Sequence, residues 1–183
     1  MATAPRKTWQ QDPQRRTTIV RATLDTIALH GVDGTTYRKI AQCAAIPLGS
    51  VTYYFPSMQE LLLEAFSRLA QDAFTAFAAT LERAQDKTQA RQAIVEIIFG
   101  DVTAGDKTNQ LSYELYSYAC RTPVMKQVMK NWMSQSRASL ERHFSPLAAV
   151  ALDALIEGLI LHRSVIPVAQ EDVFRMVEQL SEL

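Results

Sequence analysis

Two cysteines, Cys43 and Cys120, are all that the 183 residues contain. They are too few for a disulfide framework and do not have the spacing of a zinc site. A reduced, cytoplasmic setting follows as an expectation, with no metal and no other cofactor. Long apolar runs are missing as well, so no membrane span is expected. The basic residues of Met1-Ala-Thr-Ala-Pro-Arg-Lys have no apolar stretch behind them, which argues against a secretory signal. The three histidines, His30, His143 and His162, fall on separate segments without H-E-x-x-H spacing. No glycine-rich phosphate loop and no nucleophile elbow occur. Catalysis would require residues far apart in sequence to converge, so the chain is not expected to be an enzyme. Sustained strand alternation, internal repeats and low-complexity tracts are also lacking.

Net charge is absent too, since 19 basic side chains balance 19 acidic ones. Their distribution is uneven. Residues 1–56 hold Arg6, Lys7, Arg15, Arg16, Arg21, Arg38 and Lys39 against Asp12, Asp25 and Asp33, and the remainder of the chain carries the compensating acidic excess. A basic head on an acidic body suits a protein that meets a polyanion at one end.

What is present is helical periodicity and enough apolar residues, 48% of the chain, to build a core without covalent staples. An all-α fold of about nine helices is predicted. Residues 1–11 read as an arm, with Asp12-Pro13 as N-cap and N1 of a first helix that Gly31 stops near His30. Two short helices follow, about 36–43 and 47–55. Ser57-Met-Gln-Glu60 is a capping box that opens a long helix to about residue 84. Further helices are expected at about 88–102, 109–121, 123–144, 146–165 and 171–183. Charge and helix length both change near Ser57, which divides the chain into a head, 1–56, and a helical body, 57–183.

Residues 35–55 have the layout of a helix-turn-helix. Ile40, Ala41 and Ala44 turn inward from its first helix, Ile46 from the turn, and Val51 and Phe55 from its second at i, i+4 spacing. Gly49, Ser50, Tyr53 and Tyr54 then lie opposite, with Thr52 at the edge. This small, hydroxyl-rich helix fits a major groove. Serine and tyrosine hydroxyls suit phosphate, and threonine suits base edges. Gly49 permits close backbone approach. Leu48, three residues before Val51, suits core packing or a thymine methyl. The alternative for Tyr53 and Tyr54 is to brace the next helix, and for Lys39 to carry surface charge; Arg6 and Lys7 could reach phosphate or the minor groove, with free solvation the default.

The wording of this stretch is specific. From Ile19 to Leu63 it resembles the DNA-binding domain of the TetR family of bacterial regulators. The matching residues are Ile19-Val-x-Ala22, Gly31, Thr35-Thr36, Arg38-x-Ile-Ala41, Ala44, Ile46, Gly49-Ser-Val51, Tyr53-Tyr-Phe55, Ser57 and Glu60-Leu-Leu62. Within that family, Leu111–Met133 and Ala151–Arg163 resemble RcdA-type regulators. The resemblance implies a homodimer that binds double-stranded DNA through Thr36, Arg38, Lys39, Leu48, Gly49, Ser50, Thr52, Tyr53 and Tyr54, and a body that takes a small-molecule effector. Three departures stand out. Ala45 replaces the usual turn glycine, at a place where a left-handed backbone would be strained. Leu48 and Met58 each replace a frequent lysine. These keep open a second reading, a helical ligand-binding or dimerising protein whose head no longer reads DNA.

In the body, Leu147–Leu161 is apolar almost all round, apart from Asp153 and Glu157. Such a helix needs cover on both sides. Ala151, Ala154, Leu155, Gly158 and Leu159, with Phe174 and Val177 of the last helix, are the candidates for a four-helix dimer interface; a single monomeric core is the alternative. Phe66, Tyr113, Tyr116, Trp132, Ser136 and His162 are the candidate pocket residues, each of which serves as well in a core.

Overall fold

The computed structural model describes residues 13–100 and 105–183. The expected arm, with Arg6 and Lys7, and the Asp12 cap lie outside them. The described residues form nine helices: α1 Pro13–His30, α2 Tyr37–Cys43, α3 Leu48–Tyr54, α4 Met58–Glu82, α5 Lys87–Phe99, α6 Gly105–Arg121, α7 Pro123–Leu140, α8 Pro146–Arg163 and α9 Gln170–Leu180.

The helix ends follow local chemistry. Gly31, at φ 68°, stops α1 and donates its N–H to the Ile27 carbonyl at 2.8 Å. At Gly34 a β-carbon would collide with the His30 carbonyl oxygen, so the turn into α2 needs glycine there. Thr36 caps α2 by accepting from the Lys39 N–H. Ser57 accepts from the Glu60 N–H at 3.4 Å at the start of α4. Asp86 caps α5, and Ser145 followed by Pro146 opens α8. Two ends differ from the periodicity. Helix α6 begins four residues earlier than expected, at Gly105. Helix α7 stops at Leu140, and a turn then carries Phe144 back into the core.

The first compact unit extends to Ala65 and the second begins at Phe66. The expected division, at 56/57, is displaced into α4 because Leu61 and Ala65 pack into the first core with Ile19, Val20 and Ala22 of α1, Ile40 and Ala41 of α2, Val51 of α3, and Phe55. The main core of the second unit joins α5 (Ile94, Ile97, Ile98), α8 (Ala148, Leu152, Ile156, Leu159) and α9 (Val173, Val177). Polar ties bind α5 to the chain end: Arg91 Nε donates to Ser181 Oγ at 2.7 Å, and Lys87 and Arg91 both pair with Glu182. These pairs hold the Glu182 carboxyl below the usual glutamate range, the hydrogen bond from Lys87 contributing most.

Candidate nucleic-acid interface and the helical body

The turn between α2 and α3 is held by its backbone. Ala45 N–H reaches Gln42 O at 3.1 Å and Ile46 N–H reaches Ala41 O at 3.0 Å. Ala45 sits at φ 53°, the only non-glycine residue with positive φ among those described. The alanine therefore adopts the left-handed backbone of the turn at a cost, and the helix-turn-helix forms despite it.

Two inward side chains anchor α3, Val51 and Phe55, both fully buried. The end of the helix is bracketed by residues whose role the sequence pattern did not show. Tyr37 Oη donates to the Phe55 carbonyl at 3.0 Å. Burial, with Glu60 nearby, raises the Tyr37 phenol above its ordinary pKa and keeps it a donor. Arg16 lies 4.2 Å above the Phe55 ring, donates to the Tyr54 carbonyl at 3.2 Å and forms a two-pronged pair with Glu64. Its charge is thus committed inside the head.

On the outer face Leu48 is 45% exposed, Tyr53 is 55% exposed, and Gly49 has no atom within 4 Å of where a β-carbon would stand. Leu48 is thus not packed into the core of the head. Thr52 is exposed, its hydroxyl turned back on the Leu48 and Gly49 carbonyls at 3.5 and 3.3 Å. Ser50 and Tyr54 are half-buried; Tyr54 packs on the first core and meets Tyr53 edge to face at 5.4 Å. Thr36 and Arg38 are exposed at the start of α2, whereas Lys39 Nζ donates to the Gly34 carbonyl at 2.8 Å.

In the second unit a cleft of about 400 Å3 opens between α6 and α7. Of the six pocket candidates only Tyr116 lines it. Phe66 is fully buried beside Tyr118, ring centroids 6.3 Å apart. Ser136 is buried, Trp132 half-buried, and His162 exposed. Tyr113 Oη reaches the Ile160 carbonyl at 3.4 Å. Tyr116 Oη donates to Glu157 at 3.2 Å, and Arg137 Nε donates to Asp153 at 2.9 Å. Burial raises the pKa of all three acids. It pushes Glu157 up to about 7, with the Asp153 charge adding and the Tyr116 hydrogen bond opposing. Asp153 rises despite Arg137. The Tyr116 phenol is pushed well above its usual value, by burial first and then by Glu157.

Helix α8 presents an apolar stripe to solvent: Leu147, Val150, Ala154 and Leu161, continued by Val165 and Ile166. Ala151, Leu155, Gly158 and, on α9, Phe174 are half-buried, and Met176 is exposed. Leu159 and Val177 differ from expectation. They point into the core of their own chain, beside Ile156 and Val173, and offer no surface to a second chain. Among the described residues, no helix is long and apolar enough to cross a membrane.

Residues 19–65 match the family model described as bacterial regulatory proteins, tetR family. The HTH-type transcriptional regulator BetI of Agrobacterium fabrum is 30% identical over 161 residues, covering 84% of this chain and 78% of its own. The protein SCO7518 of Streptomyces coelicolor, whose structure is known, is 38% identical, with a TM-score of 0.86 over 93% of this chain and 100% of that one. The multidrug binding protein EbrR complexed with ethidium is 27% identical, with a TM-score of 0.75 over 92% of this chain and 99% of that one.

Proposed function

Since the chain belongs to the TetR family of bacterial regulatory proteins and is a DNA-binding transcriptional regulator, we propose that it acts in the cytoplasm as a homodimer on an inverted-repeat operator, under the control of a small-molecule effector. The observation that carries this reading is the division of α3 into two faces. Val51 and Phe55 are fully buried, while Leu48, Gly49, Thr52 and Tyr53 are exposed. A seven-residue helix so anchored can enter a major groove.

Roles follow from chemistry and position. Tyr53, Tyr54, Ser50 and Thr36 offer hydroxyls to phosphate, and Gly49 offers its backbone. Arg38 supplies charge, as does Lys39 once its amine leaves the Gly34 carbonyl. Thr52 and Leu48 meet base edges, the leucine through a thymine methyl. The stripe on α8 takes a second copy of the chain, with Ala154 and Gly158 allowing close helix approach. The likeness to EbrR, a multidrug binding protein, supports a body that answers to a ligand.

Genome-wide recovery of bound DNA, followed by footprinting, tests the reading. The expected sites are inverted repeats with half-site centres about 34 Å apart or a multiple of that spacing. A footprint without a dyad, or no enrichment beyond that of a Thr52→Ala, Tyr53→Ala variant, overturns it.

A further inference from the structure

The cleft between α6 and α7 has an uneven lining. Ala119, Met129 and Met133 form an apolar wall, and thioethers adapt to ligands of varied shape. Along α7 stand Lys126, Lys130 and Arg137, spaced by four and seven residues and therefore on one face. No carboxylate lines the cleft. Both lysines are exposed, and neither is paired with an acid among the described residues. Arg137 is held by Asp153 through Nε, which leaves its terminal nitrogens available as donors.

We propose that this cleft is the effector site and that it takes an amphipathic anion, an apolar body carrying a single carboxylate-like head. The proposal rests on the reading that the regulator is ligand-responsive, and adds the place and the charge of the ligand. An alkyl or aryl body lies against the methionines while the head meets the lysines and the free end of Arg137. A cation entering here faces three like charges. The acids bonded to its lining are already engaged, Asp153 by Arg137 and Glu157 by the Tyr116 hydroxyl. The preference is thus opposite to that implied by ethidium, a cation, in EbrR.

The same lining supplies a route outward. Tyr116 and Arg137 belong to the cleft wall, and each is held from behind by an acid of α8, Glu157 and Asp153, one turn apart. Those acids are the sequence neighbours of Gly158 and Ala154 on the stripe assigned to the dimer. An anionic head that draws Arg137 forward competes with Asp153 for it, and so acts on α8.

Calorimetry on the full-length protein tests the site, with octanoate and dodecanoate as anions and octylammonium as the matched cation. Fluorescence anisotropy of labelled operator DNA is read in parallel. At least one carboxylate is expected to saturate one site per chain and weaken DNA binding, and octylammonium is expected not to saturate. Lys126→Gln with Lys130→Gln, both on exposed positions, should weaken the carboxylate at least tenfold. Ser134→Trp, which fills the cleft from an exposed position, should abolish its binding. Failure of both carboxylates to bind, or binding unmoved by these variants, overturns the site. If octylammonium or ethidium instead releases the DNA, the site assignment falls and ligand control stands. A carboxylate bound at the cleft that leaves DNA affinity unchanged overturns the effector role itself.

Discussion

Ala45 pays for its place in the recognition turn. A β-carbon in the left-handed region costs roughly 1–2 kcal/mol, partly offset because alanine has less freedom to lose on folding than glycine, by about 0.4–1 kcal/mol. Ala45→Gly should therefore stabilise the head by up to about 1.6 kcal/mol. Urea or thermal unfolding should show the gain, with DNA affinity per folded molecule unchanged. Glu157 makes a second, pH-dependent prediction. Its folded pKa, about 7, lies above the ordinary 4.5, so the folded chain holds the proton more tightly than the unfolded chain. Stability contributed by this group is complete below about pH 4.5 and is lost as pH rises towards 7. Glu157→Gln removes the dependence. The variant should match the native protein near pH 4 and be the more stable of the two at pH 8, by at most about 3.4 kcal/mol at 1.36 kcal/mol per pKa unit. Equal melting at both values would show that the carboxylate is not desolvated.

At the scale of the element, α3 separates affinity from sequence reading. Tyr53→Phe removes one hydroxyl from an exposed ring, so folding should be untouched. DNA binding should weaken by about 0.5–1.5 kcal/mol, to a similar extent on all sequences. Thr52→Ala should relax base preference, and Arg38→Ala should make the plot of log K against log salt shallower by about one unit. Competition binding across operator variants and a salt titration read all three. Much of this element was legible beforehand, because Val51 and Phe55, at i, i+4 spacing, mark its inner face; that Leu48 is exposed and Tyr54 half-buried was not. Helix α8 was not. It is apolar nearly all round, so its periodicity names no inner face, and only its packing against α5 and α9 shows that Leu159 turns inward while Leu161 and Val150 turn out. The α6–α7 cleft was hidden for a related reason. Tyr116 and Lys130 come from two helices whose register is a product of tertiary packing. The commitment of Arg16 to Glu64 and of Lys39 to the Gly34 carbonyl left no trace in the pattern either, since a surface-facing cation reads the same whether bonded or free.

For the whole molecule, the proposed dimer depends on the α8 stripe. A β-carbon at Gly158 would meet no atom within 4 Å beyond its own stretch of helix backbone. Gly158→Glu should leave each subunit folded yet bury an unpaired charge between two of them, weakening association by several kcal/mol. Light scattering should report monomers, and operator binding should fail although α3 is intact. An undisturbed dimer would move the interface elsewhere on the surface.

The stripe also has a genetic consequence. If it joins two chains, one damaged head disables a whole dimer, because a single recognition helix reads only half an operator. An allele altered at Thr52 and Tyr53, with the stripe intact, should therefore be dominant over the native gene in a cell expressing both, since mixed dimers drain the functional pool. An allele altered at Gly158 should be recessive, because its product never finds a partner to spoil. Crossing the two changes into one allele should restore recessiveness.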